Sequence, residues 1–259
     1  MNTKFQKNKK NTFYCLFLIV LISCFVGCKN SEKEQPKKWL GKNILINNLT
    51  ETTNYYHMYD STNSKVGSMV FGTFFDNGFF VARDTSLFDD GSVYETAEFK
   101  IDTTNIKMSQ TKINFQFGKV NSLNISLNNS ENRVIGDYII KKDTITNSIK
   151  VDSIYSYNIY RGELFMLLNA IKLQKGDSLN VNVFVPMQLN TSKVLITGLG
   201  EEKIKVPFYE DTQLCDRIKV KADGIMPDNI IWITKAVPRR MLKVNVPNNK
   251  LDIELVDIK

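Results

Sequence analysis

Two side chains in this sequence could form a nucleophile–base pair: Cys215 and the single histidine, His57. No motif surrounds either one. Cys215 follows Leu214 in an alternating stretch, where a cysteine packs as a small hydrophobe, and His57 stands among Tyr55, Tyr56 and Tyr59. A zinc centre or a histidine-based triad would rest on that one imidazole. Two carboxylate doublets, Asp89-Asp90 and Glu201-Glu202, raise the chemistry of glycoside cleavage. Adjacent residues on a strand point to opposite faces, so neither doublet makes a catalytic pair by itself. Asp76-Asn77-Gly78 begins like a calcium loop but lacks the further spaced oxygens and the closing glutamate. Walker, Rossmann and Gly-x-Ser-x-Gly patterns are absent. The expectation is a protein that is not an enzyme, with no catalytic residue, no metal and no cofactor.

Binding chemistry is better represented. Arg239-Arg240 follows Pro238, and in an extended segment one of the two guanidinium groups faces outward. There it could hold a lipid phosphate or a carboxylate, or else solubilise a strand edge by pairing with Asp228 or Glu254. Residues 55–81 are rich in rings: Tyr55, Tyr56, Tyr59, Phe71, Phe74, Phe75, Phe79 and Phe80. Two strands burying these rings in a core is one reading, and an apolar ligand cavity lined by some of them is the other. Phe71, Phe75, Phe80, Trp232, Arg239 and Arg240 are the candidate ligand-binding residues. Trp232 is also expected to anchor the core, with its indole N–H hydrogen-bonded.

The first residues set the compartment. Lys4, Lys7, Lys9 and Lys10 precede an apolar run from Phe13 to Val26, closed by Gly27-Cys28. A basic front, a short apolar middle and a small residue before cysteine read as a bacterial lipoprotein export signal. The run is shorter than the roughly 20 residues a membrane-crossing helix needs. Cys28 is the expected lipidation site, because Lys29-Asn30-Ser31-Glu32-Lys33-Glu34 follows it directly. Leu21-Ile22-Ser23-Cys24 fits the commonest signal pattern more closely, so Cys24 stays open as the alternative. The division expected is a signal peptide at 1–27, a lipidated cysteine and flexible tether at 28–38, and a single β-rich domain at 39–259. The partner implied is a membrane, reached through the lipid. A lysine after the modified cysteine leans towards the outer membrane, facing the periplasm or the cell surface.

Removing residues 1–27 leaves 232 residues and takes four lysines with no acid, so the formal charge falls from +7 to +3. That small excess, with the compartment, argues against nucleic acid as a partner. Cys15 and Cys24 leave with the signal and Cys28 takes the lipid. Cys215 then stands alone, and the domain must be held by its core rather than by a disulfide.

The elements that would position these residues are strands. Period-two alternation runs over Val93–Ile101, Ile113–Phe117, Leu123–Leu127, Leu179–Val185, Ile204–Phe208, Ile218–Ala222, Leu242–Val246 and Leu251–Leu255. Asp76-Asn77-Gly78, Asp89-Asp90-Gly91, Asp223-Gly224 and Asn248-Asn249 supply turn chemistry between them. Leu164, Leu167, Leu168 and Ile171 instead follow helical spacing, which predicts one helix over Arg161–Lys175 packed on the sheet or plugging its concave side. The fold expected is mainly β: a large antiparallel curved sheet or partly open barrel with one packed helix.

From about residue 157 onward the order of features resembles a bacterial envelope family catalogued as domain of unknown function 3108. The features are Tyr160-Arg161, Lys175-Gly176-Asp177, Gly200-Glu201-Glu202, Val206-Pro207-Phe208, Ile231-Trp232-Ile233, Val237-Pro238-Arg239-Arg240 and Leu251–Val256. The family's glycine before a cysteine strand is missing, since Tyr209–Gln213 has none, although Cys215 follows. The resemblance implies an antiparallel β fold with little helix, in the envelope, and no reaction. Two functions follow as expectations. One is a lipid-anchored envelope protein holding an apolar ligand such as a lipid in a curved sheet. The other is a scaffold with a filled core that binds another envelope protein.

Overall fold

The computed structural model describes residues 37–44, 49–130, 133–224 and 226–259. The segment expected to be an export signal, with Cys24 and Cys28, lies outside the described residues. β1 (Lys37–Trp39) and β2 (Lys42–Ile44) form a short hairpin. It takes in Lys37 and Lys38, the last two residues expected in the tether. The cause is Trp39, which is buried in the main core and draws the lysines before it into pairing.

All other strands among the described residues join one sheet. In chain order they are β3 (Thr52–Tyr59), β4 (Lys65–Asp76), β5 (Phe79–Phe88), β6 (Val93–Asp102), β7 (Lys107–Phe117), β8 (Asn121–Ser130), β9 (Arg133–Lys142) and β10 (Ile145–Ile154). After them come β11 (Ile159–Tyr160), β12 (Ser178–Val185), β13 (Asn190–Ile204), β14 (Gln213–Ala222), β15 (Asn229–Thr234), β16 (Met241–Val246) and β17 (Leu251–Ile258). The sheet has 15 strands, ordered β10 through β3, then β17 back through β11. Every pairing is antiparallel except β11 with β12. Short turns suffice for such a meander. Asn77 and Gly78 take positive φ between β4 and β5, the conformation that Asn and Gly tolerate best.

The sheet curls on itself. β11 touches β7, although eleven places separate them in strand order. The Tyr138 hydroxyl of β9 donates to the Met187 carbonyl just after β12 at 2.6 Å. α1 (Arg161–Leu167) lies on the inner face against β6 and β12. Cross-strand register runs the inner face from Ile149 through Tyr138, Ile125, Ile113, Ala97 and Asp84 to Phe71. Most of that row is apolar and buried, so period two in the sequence becomes one continuous core.

The helix is shorter than its apolar stripe predicts. α1 ends at Leu167, a 3₁₀ turn covers Leu168–Ala170, and Ile171 is extended at φ −109° and ψ 155°. All four stripe residues are nonetheless fully buried. The carbonyls of Asn169 and Ile171 are drawn to Arg239, which fixes a backbone that no longer continues the helix. Lys175 and Gly176 do not cap it. They belong to a turn seated on β13, where the Gly176 N–H reaches the Gly198 carbonyl and the Gly198 N–H reaches the Asp177 carbonyl. A Cβ at Gly198 would stand 2.1 Å from the Gln174 carbonyl oxygen. Gly198→Ala is therefore expected to lower stability by about 1–3 kcal/mol, read as a lower urea midpoint.

The alternation expected over Ile204–Phe208 is also cut short. β13 stops at Ile204, where Pro207, lacking an N–H, ends the ladder. Val206 is buried instead in a small cluster with Tyr56, Cys215, Leu242 and Leu255.

Candidate functional site

Arg239 is buried and bonded on every side. Its Nε donates to the Thr234 carbonyl at 3.1 Å and its Nη1 to the carbonyls of Asn169 and Ile171. Nη2 pairs with the Asp216 carboxylate at 2.5 Å, with the two side chains only 7% and 13% exposed. The planar fork thus ties β14, the β15–β16 connection and the end of the helical segment together. Neither Asp228 nor Glu254 is its partner, and it does not face outward as one of the two arginines was expected to. Four of its five N–H donors are engaged within the fold.

Arg240 has a different environment. Its backbone N–H donates to Thr234 Oγ1 at 2.8 Å, while its Nε is buried without a hydrogen-bond partner. It lines a cavity of about 30 Å³ together with Tyr56, Phe71, Phe80, Asn169 and Arg239. The Asn169 side-chain oxygen is likewise buried and unbonded. Tyr56 donates from its hydroxyl to the Met241 carbonyl at 3.0 Å, and burial pushes its ionisation well above the ordinary tyrosine range. Four of the six residues singled out in the sequence therefore meet here: Phe71, Phe80, Arg239 and Arg240.

The other two do not. Phe75 lies on the same face, opposite Phe80 with the rings 5.1 Å apart, but at the rim and 39% exposed. Trp232 points to the opposite, outer face, because Ile231 and Ile233 on either side of it are buried in the core. Its indole N–H donates to Glu202 at 3.0 Å, as expected of a half-buried tryptophan, and Arg217 and Lys243 flank it. It packs against the small cluster of Tyr56, Val206, Cys215, Leu242 and Leu255 rather than in the main core.

Next to the cavity is a group of charges that the sequence reading did not pick out. Asp84 faces inward, opposite Phe71 on one side and Ala97 on the other. Burial, and then the nearby Glu95 carboxylate, push its carboxyl up to about 7. Burial also raises Glu95, and the Arg161 guanidinium at the start of α1 partly offsets both. No ion pair within 4.0 Å joins Arg161 to either acid among the described residues. Counting by twos from Phe80 and Ala82 would have placed Asp84 inward.

The remaining candidates are dispersed. The Cys215 thiol is fully buried, meets the Gln213 carbonyl, and is pushed up to about 11 by burial. His57 instead contacts Tyr59, 3.4 Å from its hydroxyl, and stands opposite Glu254 in register. Asp89 pairs with Lys65 while Asp90 accepts from the Ser92 N–H, and Glu201 pairs with Lys235 while Glu202 accepts from Trp232. Glu201 and Glu202 diverge as strand geometry requires, whereas Asp89 and Asp90 lie in the turn after β5. Among the described residues there is no group of three or more side chains placed to hold a metal ion. An open groove of about 510 Å³ on the outer face of β12–β14 has a mixed lining, in which Lys193, Lys221 and Asp223 stand beside Leu195 and Val194.

No family model matches this chain, and no curated protein is similar to it. Among solved structures it is similar to a β-barrel-like protein of domain of unknown function 1849 from Brucella abortus. That likeness has a TM-score of 0.50 at 9% identity and covers 82% of this chain and 98% of the other. It shows a shared fold: a large, strongly curved sheet. Weaker likenesses, at TM-scores of 0.30 and 0.31, are to a protein from Bacteroides fragilis described as exported and of YmcC-like fold, and to one from Parabacteroides distasonis described as a lipoprotein. They are 6% and 10% identical, cover 86% and 87% of this chain and 97% and 100% of those chains, and bear on neither site nor mechanism.

Proposed function

We propose that this chain is a lipid-anchored cell-envelope protein, held through Cys28 at the outer membrane, that works without catalysis as a scaffold for another envelope protein. The observation that carries the scaffold role is the filled interior. α1, the 3₁₀ turn after it and the β1–β2 hairpin contribute Leu164, Leu167, Leu168, Trp39 and Ile44 to the same core that backs the sheet. Beside the rings expected to line a ligand cavity there is about 30 Å³, room for a water or two. A pocket for a drug-sized or acyl ligand takes roughly 300 Å³ or more. The larger groove is open to solvent and carries Lys193, Lys221 and Asp223 in its mixed lining, so it does not enclose an acyl chain. The export signal and the resemblance to family 3108 support the compartment.

The test is native mass spectrometry of the full chain, produced with its own N-terminal segment in a bacterium and extracted from membranes in mild detergent. The expected mass is that of the chain from Cys28 plus a covalent diacylglycerol-type adduct, with no further bound lipid. A reproducible extra mass that is released as lipid only on unfolding would overturn the scaffold reading in favour of the carrier. An adduct mapped to Cys24 would move the anchor.

A further inference from the structure

The two ends of the sheet are unlike. At one, β11 is two residues long and runs straight into α1. At the other, β10 presents ten residues whose register with β9 is unbroken. Nine of the ten side chains are exposed and only Val151 is buried. A long edge strand offers a row of free N–H and C=O groups, and proteins usually protect such edges with proline, a bulge or short length. β10 has none of these among the described residues and carries only charge, at Lys150 and Asp152.

Which groups are free follows from the turn. β9 and β10 are joined by the two residues Asp143 and Thr144, so Lys142 and Ile145 close the hairpin as a hydrogen-bonded pair. Alternation then directs the odd-numbered backbone groups of β10 to β9. The even-numbered ones, at Thr146, Ser148, Lys150, Asp152 and Ile154, point away from the sheet. A strand added antiparallel by a second copy of the chain, with like faces aligned, must pair these even positions with even positions.

Few such registers exist, and charge separates them. Centring the pair on residue 150 sets Lys150 against Lys150. Centring it on 149 sets Lys150 against Ser148 and Asp152 against Thr146. Centring it on 151 sets Lys150 against Asp152 of the second copy, twice, with the two Val151 side chains facing on the inner side. Within each copy Lys150 already pairs with Asp137, and Asp152 with Arg133 at 2.7 Å. The third register therefore joins two ion pairs into one row of alternating sign. It also lays Ile154, 80% exposed, beside Ser148 of the second copy.

We propose that two copies of this chain associate through β10 in that register, making one sheet continuous across a two-fold axis. The pairs 150–152 and 148–154 each exchange two N–H···O bonds. This goes beyond the scaffold reading and does not rest on it.

Lys150→Asp and Asp152→Lys test it in the full chain, in detergent, by sedimentation and native mass spectrometry. Wild type is expected to be a dimer. Each variant alone sets like charges opposite one another twice and is expected to dimerise about tenfold more weakly. Mixing the two variants restores opposite charges at both positions and should recover the dimer as a heterodimer. Val151→Cys should form an intermolecular disulfide on oxidation. Facing residues of a non-hydrogen-bonded pair have Cα atoms about 4.5 Å apart, within disulfide range. Wild type, which keeps Val151, controls for the native cysteines. A monomeric wild type, variants that dimerise as tightly as wild type, or a mixture no better than its components would overturn the proposal. A cross-link through Ile149→Cys instead would overturn the register. Bound lipid in a dimer would sink the scaffold reading and leave this one standing.

Discussion

Arg239→Met is expected to remove about 3–5 kcal/mol of stability, the largest effect of any single substitution considered. It would leave the Asp216 carboxylate, 13% exposed, as a buried charge without its partner. It would also strip a donor from the Asn169 and Ile171 carbonyls, which the interrupted helix leaves unbonded within its own backbone. Lysine should rescue little, because one ammonium cannot span three carbonyls and a carboxylate as a guanidinium fork does. A double substitution, Arg239→Met with Asp216→Leu, should recover part of the loss, since the cost lies in the orphaned charge rather than in a missing attraction. Arg240→Met is the contrasting case. Its guanidinium holds no ion pair within 4.0 Å among the described residues and its Nε is unbonded, so its loss should shift stability by less than about 1 kcal/mol. Urea unfolding followed by tryptophan fluorescence measures all four. Equal effects at 239 and 240 would contradict the division of roles between the two arginines.

That division was only half legible in the sequence. Arg239-Arg240 stood out as a doublet, but which of the two is tied into the fold and which keeps an unbonded nitrogen depends on Asp216 and Ile171, 23 and 68 residues away from Arg239. The strands were readable because half-buried antiparallel strands alternate by residue, as in Val93–Ile101 and Leu123–Leu127. The helix was readable to its first two turns, where local spacing governs. It was misread beyond them, where Arg239 takes the carbonyls and Gly198 seats the following turn. Trp232 reads as core from its neighbours Ile231 and Ile233, yet the same alternation that buries them turns Trp232 outward. Asp84 does not stand out from its polar neighbours Thr85 and Ser86 in the sequence, although the period set by Phe80 and Ala82 carries it inward. Strand order is a different matter. Nothing in Ile145–Ile154 says that this strand, rather than β3 or β14, ends the sheet, because neighbours in a meander are fixed by long-range closure.

Between about pH 5 and pH 9 the folded protein is expected to lose stability as pH rises, the reverse of ordinary acid denaturation. Two inward carboxyls cause this. Glu163, 3% exposed, accepts from the Tyr160 N–H at 2.7 Å, and burial pushes it up to about 8. Asp84 is pushed up to about 7 by burial and by Glu95. In the unfolded chain both titrate near 4, so the native state binds more protons across the window and stability falls with pH. Their contribution is complete below the unfolded values and lost once pH passes the folded ones. The carboxylates held low, Asp60, Asp90, Asp152 and Glu202, act below this window, by hydrogen bonds from nearby hydroxyl, backbone, arginine and indole groups. Burial of the Cys215 thiol acts above it and in the same direction as the two buried acids. Around Glu163 the groups that respond are Trp39, Lys107, Tyr157 and Tyr160, and around Asp84 they are Glu95, Arg161, Ser86 and Tyr56. Glu163→Gln keeps an oxygen for the Tyr160 N–H but cannot ionise, and should flatten the alkaline half of a Tm-against-pH curve. Asp84→Asn should flatten the neutral half. Each shift corresponds to a few kcal/mol, on the order of 1.4 kcal/mol per pH unit across its window. If Glu163→Gln ran parallel to wild type from pH 6 to pH 9, Glu163 would have to be ionised in the core, with Lys107 close enough to hold it so.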